Sequence, residues 1–230
     1  MASRSKPLAY SGPAPISIRT LFAEAFSLVR DQYPLFLLLC STLIFIGVLS
    51  PLGALLGPSL ACIHTALDEK KRTGKANLKN ISQWFSFSLD AILAYMMILA
   101  ASFLFLAPTS LLVYNGLANW ELLRNLVDLP DPVLLGMVAM LVPTVATIQI
   151  TFCVPFLFTF TSMARSKVSA VNAIKLSIQT TTQNLAIVLK VAALLMLLHI
   201  IASIAFLLPA ALLLPLHYAV IHQLHFRLTN

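Results

Sequence analysis

The chain has 230 residues, of which 59% are hydrophobic and 10% are charged, with a net charge of +7. A soluble globule carries about 25% charged residues, so the composition argues against one and for an integral membrane protein with room for about six spans. The excess positive charge lies beside apolar runs, where membrane orientation and anionic lipid account for it; nucleic acid is not an expected partner.

Residues 1 to 15 hold Pro7, Gly12, Pro13 and Pro15 among small polar residues and are expected to form a disordered cytoplasmic tail. Residues 16 to 230 are read as a single membrane domain. Beyond Ser17, Ile18, Leu21, Phe22, Ala25, Phe26 and Val29 recur at helical spacing, with Arg19, Glu24, Ser27 and Arg30 elsewhere on the wheel. That pattern predicts an amphipathic helix lying on the membrane surface until the chain turns inward at Pro34.

The longest apolar run, Pro34 through Leu67, is too long for one upright span of about 20 residues and long enough for two short ones. Ser50, Pro51, Leu52 and Gly53 mark the turn, giving spans of roughly 34 to 50 and 54 to 70. Gly53, Gly57 and Ala61 form a row of small residues that either admits a neighbouring helix or shapes the turn. The cluster Asp68, Glu69, Lys70, Lys71 and Arg72 closes the run, followed by a polar loop with Lys75 and Lys79, and Trp84 then stands as an interfacial anchor.

The third span is expected at about 89 to 113, with Asp90 near its start. Residues 115 to 131 form the one substantial segment on the far side, and the fourth run, 133 to 164, is read as one helix kinked at Pro143 and Pro155. Ser169 caps a second polar-faced helix, after which spans five (185 to 206) and six (209 to 226) form another hairpin. With the amino terminus in the cytoplasm, every lysine and arginine except Arg124 falls on the cytoplasmic side. The fold class expected is therefore an all-α bundle of six transmembrane helices with interfacial amphipathic helices and both termini inside.

The two hairpins echo each other. At an offset of 150 Ala23, Ser27 and Leu35 match Ala173, Ser177 and Leu185; at an offset of 158 Pro51, Leu55, Leu56, Ala61, Ile63 and His64 match Pro209, Leu213, Leu214, Ala219, Ile221 and His222. Such a repeat keeps its orientation, unlike the inverted repeats of many transporters.

The stretches ISIRTLFAEAFSLVRDQYPLFLLLC and SAVNAIKLSIQTTTQNLAIVLK, each a polar-faced helix entering a span, resemble the YciC-like uncharacterised bacterial inner-membrane proteins. They are also similar to neighbouring families of unknown function and to the membrane domain beside some glycerophosphodiester phosphodiesterases. The resemblance implies a multi-pass protein of the bacterial inner membrane and supplies no catalytic residues.

No metalloprotease, nucleophile-elbow, phosphate-loop or dinucleotide motif is present, so neither an enzyme nor a cofactor is expected. Cys40, Cys62 and Cys153 lie in apolar stretches and behave as small hydrophobes. His64, His222 and His225 would meet only if the hairpins pack together; headgroup-level positions account for them without a metal. Thr144, Thr147, Gln149 and Thr151 on the fourth span, with His199 on the fifth, mark either a polar path or interhelical hydrogen bonding.

The sequence thus predicts a non-enzymatic inner-membrane scaffold or accessory factor. Its expected lipid contacts are Lys70, Lys71, Arg72, Lys75 and Lys79 against anionic headgroups, together with a membrane protein partner. The competing expectation is a small transporter or channel using the polar path near the fourth span.

Overall fold

The computed structural model describes residues 16–85, 88–118, 154–205 and 211–229, which are helical with no strand among them. The helices are α1 (Ile18–Val29), α2 (Tyr33–Leu49), α3 (Leu56–Thr73), α4 (Ile81–Trp84), α5 (Ser88–Ala118), α6 (Thr159–Ser166), α7 (Ala170–Gln183), α8 (Leu185–Ala205) and α9 (Leu214–Thr229). The boundaries of α2, α3 and α8 fall within a few residues of the first, second and fifth runs read from the sequence. The amino-terminal tail, most of the far-side segment and most of the fourth run lie outside the described residues.

By length and hydropathy, one described helical run is sufficient to cross a membrane, Ile18–Leu49, which includes a single 3-10 turn at Arg30–Gln32. A second candidate is the pair Ala170–Gln183 and Leu185–His199, bent by 99°.

α3 is the centre of the packing. Its flanks reach α2, α5, α6 and α9, and it contributes to both clusters of buried apolar residues. The α2 to α3 turn depends on Ser50, whose hydroxyl donates to the Gly47 carbonyl at 2.6 Å and accepts from the Leu55 amide at 3.0 Å. Leu52 and Gly53 both take positive φ there, 54° and 66°. Four residues on, a β-carbon at Gly57 would collide with the Ala91 carbonyl, and Ala61 packs with Ala91 and Ala94. Gly53 therefore shapes the turn, while Gly57 and Ala61 lie within α3 and admit α5.

Two expectations change. The apolar stripe of α1, Leu21, Ala25 and Val29, is buried, and α1 packs along α9. Another helix of the same chain covers the face that was expected to meet lipid. The expected kink at Pro155 is a complete break: Val154–Phe156 is a 3-10 turn and α6 begins at Thr159. Proline has no amide proton to continue the ladder. The buried Ser177 hydroxyl donates to the Pro155 carbonyl at 2.7 Å and accepts from the Phe158 amide at 3.0 Å, satisfying the backbone groups the break frees.

The echo between the hairpins is visible in the burial pattern, at a different register. At an offset of 152, Leu21, Ala25, Val29, Phe36, Leu39 and Leu43 correspond to Ala173, Ser177, Thr181, Val188, Val191 and Leu195, all buried. Ser17 and Ser169 stand in extended backbone at the starts of α1 and α7. Gln32 and Asn184, at the joints before α2 and α8, share one conformation (φ −122°, ψ 26° and φ −127°, ψ 29°). The offset of 150 instead pairs exposed Ser27 with buried Ser177. At 158 the second halves agree: Ala61, Cys62, Ile63, His64, Ala66 and Leu67 correspond to Ala219, Val220, Ile221, His222, Leu224 and His225, again all buried.

Candidate functional site

Polar residues gather where the last turns of α3, α6 and α9 meet. His64, Asp68 and Lys71 follow one face of α3 at i, i+4 and i+7; Tyr218, His222 and His225 follow the matching face of α9. α6 inserts Thr161, Ser162 and Arg165 between them. Equivalent positions of the two hairpins thus face each other: the rings of His64 and His222 stack at 6.0 Å, 18° from parallel.

In the deeper layer His64, Thr161, Ser162, His222 and His225 are buried. Thr161 Oγ1 lies 3.3 Å from His64 Nδ1, and the edge of Tyr218 meets the His64 ring. Ser162 Oγ lies 3.1 Å from His225 Nε2, and Arg165 Nη1 lies 3.2 Å from His225 Nδ1. Because a guanidinium only donates, Nδ1 accepts, which places the ring proton on Nε2 and directs it to the serine. Both ring nitrogens of His222, and the Thr159 hydroxyl, are buried without a hydrogen-bond partner among the described residues. Among the described residues no three His, Cys, Asp or Glu side chains are placed to hold a metal ion.

Toward the helix ends the cluster becomes cationic. Lys71 Nζ donates to Gln223 Oε1 at 2.6 Å and stands 3.0 Å over the Phe226 ring; the Arg165 guanidinium lies 4.7 Å from the same centroid. Arg165 also donates to Thr229 Oγ1 at 2.7 Å. Burial, and then the Arg165 charge, push the Lys71 ammonium down to about 8. Burial also pushes the Arg165 guanidinium down. Two clefts open beside them: one of about 450 Å³ between Asp68, Lys71, Arg72, Arg165 and Phe226, and one of about 510 Å³ toward Glu24 and Arg227. Arg227 is held by Glu24 of α1, whose carboxylate raises the guanidinium further.

The five basic residues read as lipid contacts divide. Lys70 is 5% exposed and points inward, donating to Asp31 and, at 2.8 Å, to the Gly74 carbonyl. Its hydrogen bond holds the Asp31 carboxyl below its ordinary 3.8. Gln32 reinforces that corner by pairing both side-chain amide atoms with the Ala76 backbone, at 2.9 and 3.0 Å. Lys71 enters the cluster described above. Arg72, Lys75 and Lys79 are exposed, Arg72 lying 3.8 Å from Asp68.

His199, placed on the polar path, donates from Nδ1 to the Leu195 carbonyl of its own helix at 2.9 Å and meets His217 edge-on at 4.8 Å. Thr144, Thr147, Gln149 and Thr151 lie outside the described residues. Ser169 stands at the start of α7 as expected, but its hydroxyl makes no capping hydrogen bond; Asp90 accepts from the Ala170 amide at 3.3 Å and caps α7 from a different helix. Arg165, Gln223 and Phe226 were not singled out as site residues. The signal for them was the i, i+4, i+7 phasing of His64, Asp68 and Lys71, which aims a charged face at whichever helix ends carry matching polar groups.

No protein family, curated protein or solved structure matches the chain.

Proposed function

We propose that the chain is a six-span protein of the bacterial inner membrane, of the YciC-like kind, with both termini in the cytoplasm. In this reading it is not an enzyme; it is a scaffold or accessory factor that engages anionic lipid headgroups and a membrane protein partner through its cytoplasmic end. The observation that carries the reading is a surface of opposite characters. Large apolar side chains stand outward on α2, α5 and α8, including Leu38, Phe45 (65% exposed), Leu93, Leu104 (73% exposed) and Leu197. Exposed apolar area on this scale needs lipid or protein against it. The ends of α3, α6 and α9 carry the cations, and the positive-inside distribution supports the same orientation.

Single cysteines placed at residues 10, 75, 120 and 167, in a variant lacking the native thiols, test the topology with a membrane-impermeant label. Labelling of intact spheroplasts at 120 alone is the expected result, and labelling at 75 or 167 would sink the six-span arrangement. Reconstituted protein is expected to prefer phosphatidylglycerol over phosphatidylcholine, and indifference between them would remove the headgroup part of the reading.

A further inference from the structure

We infer that the cleft between Lys71, Arg72, Arg165 and Phe226 is a discrete site for one phosphate group of an anionic phospholipid. The inference rests on the headgroup reading above and narrows it from a basic surface to one site built by three helix ends.

The charge balance of the cleft is the first argument. Lys71, Arg72 and Arg165 line it against a single carboxylate, Asp68, which is 3.8 Å from Arg72. Neither Lys71 nor Arg165 has a carboxylate within ion-pairing distance among the described residues. Their partners are a glutamine amide, a threonine hydroxyl, a neutral histidine and an aromatic face. Two like charges held over one ring repel each other, and an anion between them relieves that repulsion. Burial first, and then the Arg165 charge, hold the Lys71 ammonium below its ordinary value, and the second of these is the repulsion an anion would relieve.

Geometry and setting supply the rest. The Arg165 side chain is fixed by His225, Thr229 and Phe226, so its fork is oriented before anything binds. A phosphate accepts from a guanidinium and an ammonium together, and the exposed Ser166 hydroxyl borders the same cleft. The cleft lies at the charged end of apolar helices, the level at which the six-span reading places lipid phosphates. By contrast Lys70 is satisfied internally by Asp31 and Gly74, and it takes no part in the site.

The test uses the full chain in nanodiscs of phosphatidylcholine carrying a graded fraction of phosphatidic acid, with bound lipid counted by native mass spectrometry after release into neutral detergent. One tightly retained phosphatidic acid per chain is expected. Arg165→Gln and Lys71→Gln should each lower its apparent affinity about tenfold and Arg72→Gln about threefold, whereas Lys75→Gln with Lys79→Gln should change it less than twofold. Asp68→Asn should tighten binding about threefold, a gain that misfolding would not produce.

Retention unchanged in Arg165→Gln and Lys71→Gln, with the wild type still preferring phosphatidic acid, would overturn the site and leave the broader reading standing. A wild type without any preference for anionic lipid would overturn both. Displacement by inorganic phosphate at concentrations matching the lipid would overturn the assignment to lipid and identify a soluble phosphate as the ligand.

Discussion

A β-carbon on Gly57 would occupy the space taken by the carbonyl of Ala91, so α3 and α5 touch backbone to backbone at that point. Neither carbonyl nor helix axis can yield as a flexible side chain would, and the Tyr95 β-carbon, one turn along α5, would lie 2.8 Å from the added atom. Gly57→Ala should therefore cost about 1 to 3 kcal/mol through overpacking, read as a lower midpoint of thermal unfolding in detergent. Gly74→Ala is the comparison: its surroundings are open, and only its positive φ of 81° opposes the change.

Ser177 holds the break at Pro155 together through two hydrogen bonds made by one hydroxyl. Ser177→Ala leaves the Phe158 amide and one lone pair of the Pro155 carbonyl unsatisfied in a buried place. The expected loss is about 1 to 3 kcal/mol, and Ser177→Thr, which keeps the hydroxyl, should restore part of it. Hydrogen exchange at the amide of Phe158 should rise more than at other positions of α6.

The buried histidines respond differently to removal. Among the described residues His222 has no hydrogen-bond partner for either ring nitrogen, so His222→Leu should lie within about 1 kcal/mol of the wild type or above it, since apolar replacement of an unpaired polar group is nearly neutral. His225→Leu strips Ser162 and Arg165 of a partner and should cost about 1 to 3 kcal/mol. Equal losses from both substitutions would contradict the hydrogen-bond assignment; thermal melts of the two variants decide it.

Stability should depend on pH at both ends of the range, and the signs differ in origin. Lys71 titrates at about 8 when folded against 10.5 when free, so the unfolded chain binds more protons between those values and stability rises with pH through that window. Solvent contact keeps the effect small, and Lys71→Gln should abolish the slope. The lowered carboxyl of Asp31 contributes stability that is present above 3.8 and is lost as pH falls through its folded value. Asp31→Asn should remove that acid loss, measured by unfolding midpoints from pH 3 to 6.

Much of the helical layout could be read from the chain because its signals are local. Charge at the ends of apolar runs, Ser50 to Gly53 at a turn and Ser169 before a polar-faced helix each act within a few residues. The site was less legible because its membership depends on which helices approach. In sequence, Lys70, Lys71 and Arg72 look alike, and only the arrival of Asp31, Gln223 and open solvent gives them three different roles. The register of the repeat was obscured for a similar reason: Ala23 and Ser27 match Ala173 and Ser177 as letters, while the packed stripe begins two residues away. Identity followed composition, and burial followed the helix face.

The change of register from 152 to 158 between the two halves of the repeat has a consequence for the surrounding bilayer. Six extra residues lie between Asn184 and His222, and α8 has 21 residues where α2 has 17. At 1.5 Å per residue α2 measures about 25 Å, short of a hydrocarbon layer of about 30 Å. In the six-span arrangement the outer leaflet bordering α2 would thin by a few ångströms while that bordering α8 would not. The molecule would then tilt the lipid surface across its own width, and it would prefer thin or curved membrane to thick, flat membrane through span length alone, independently of the phosphate cleft.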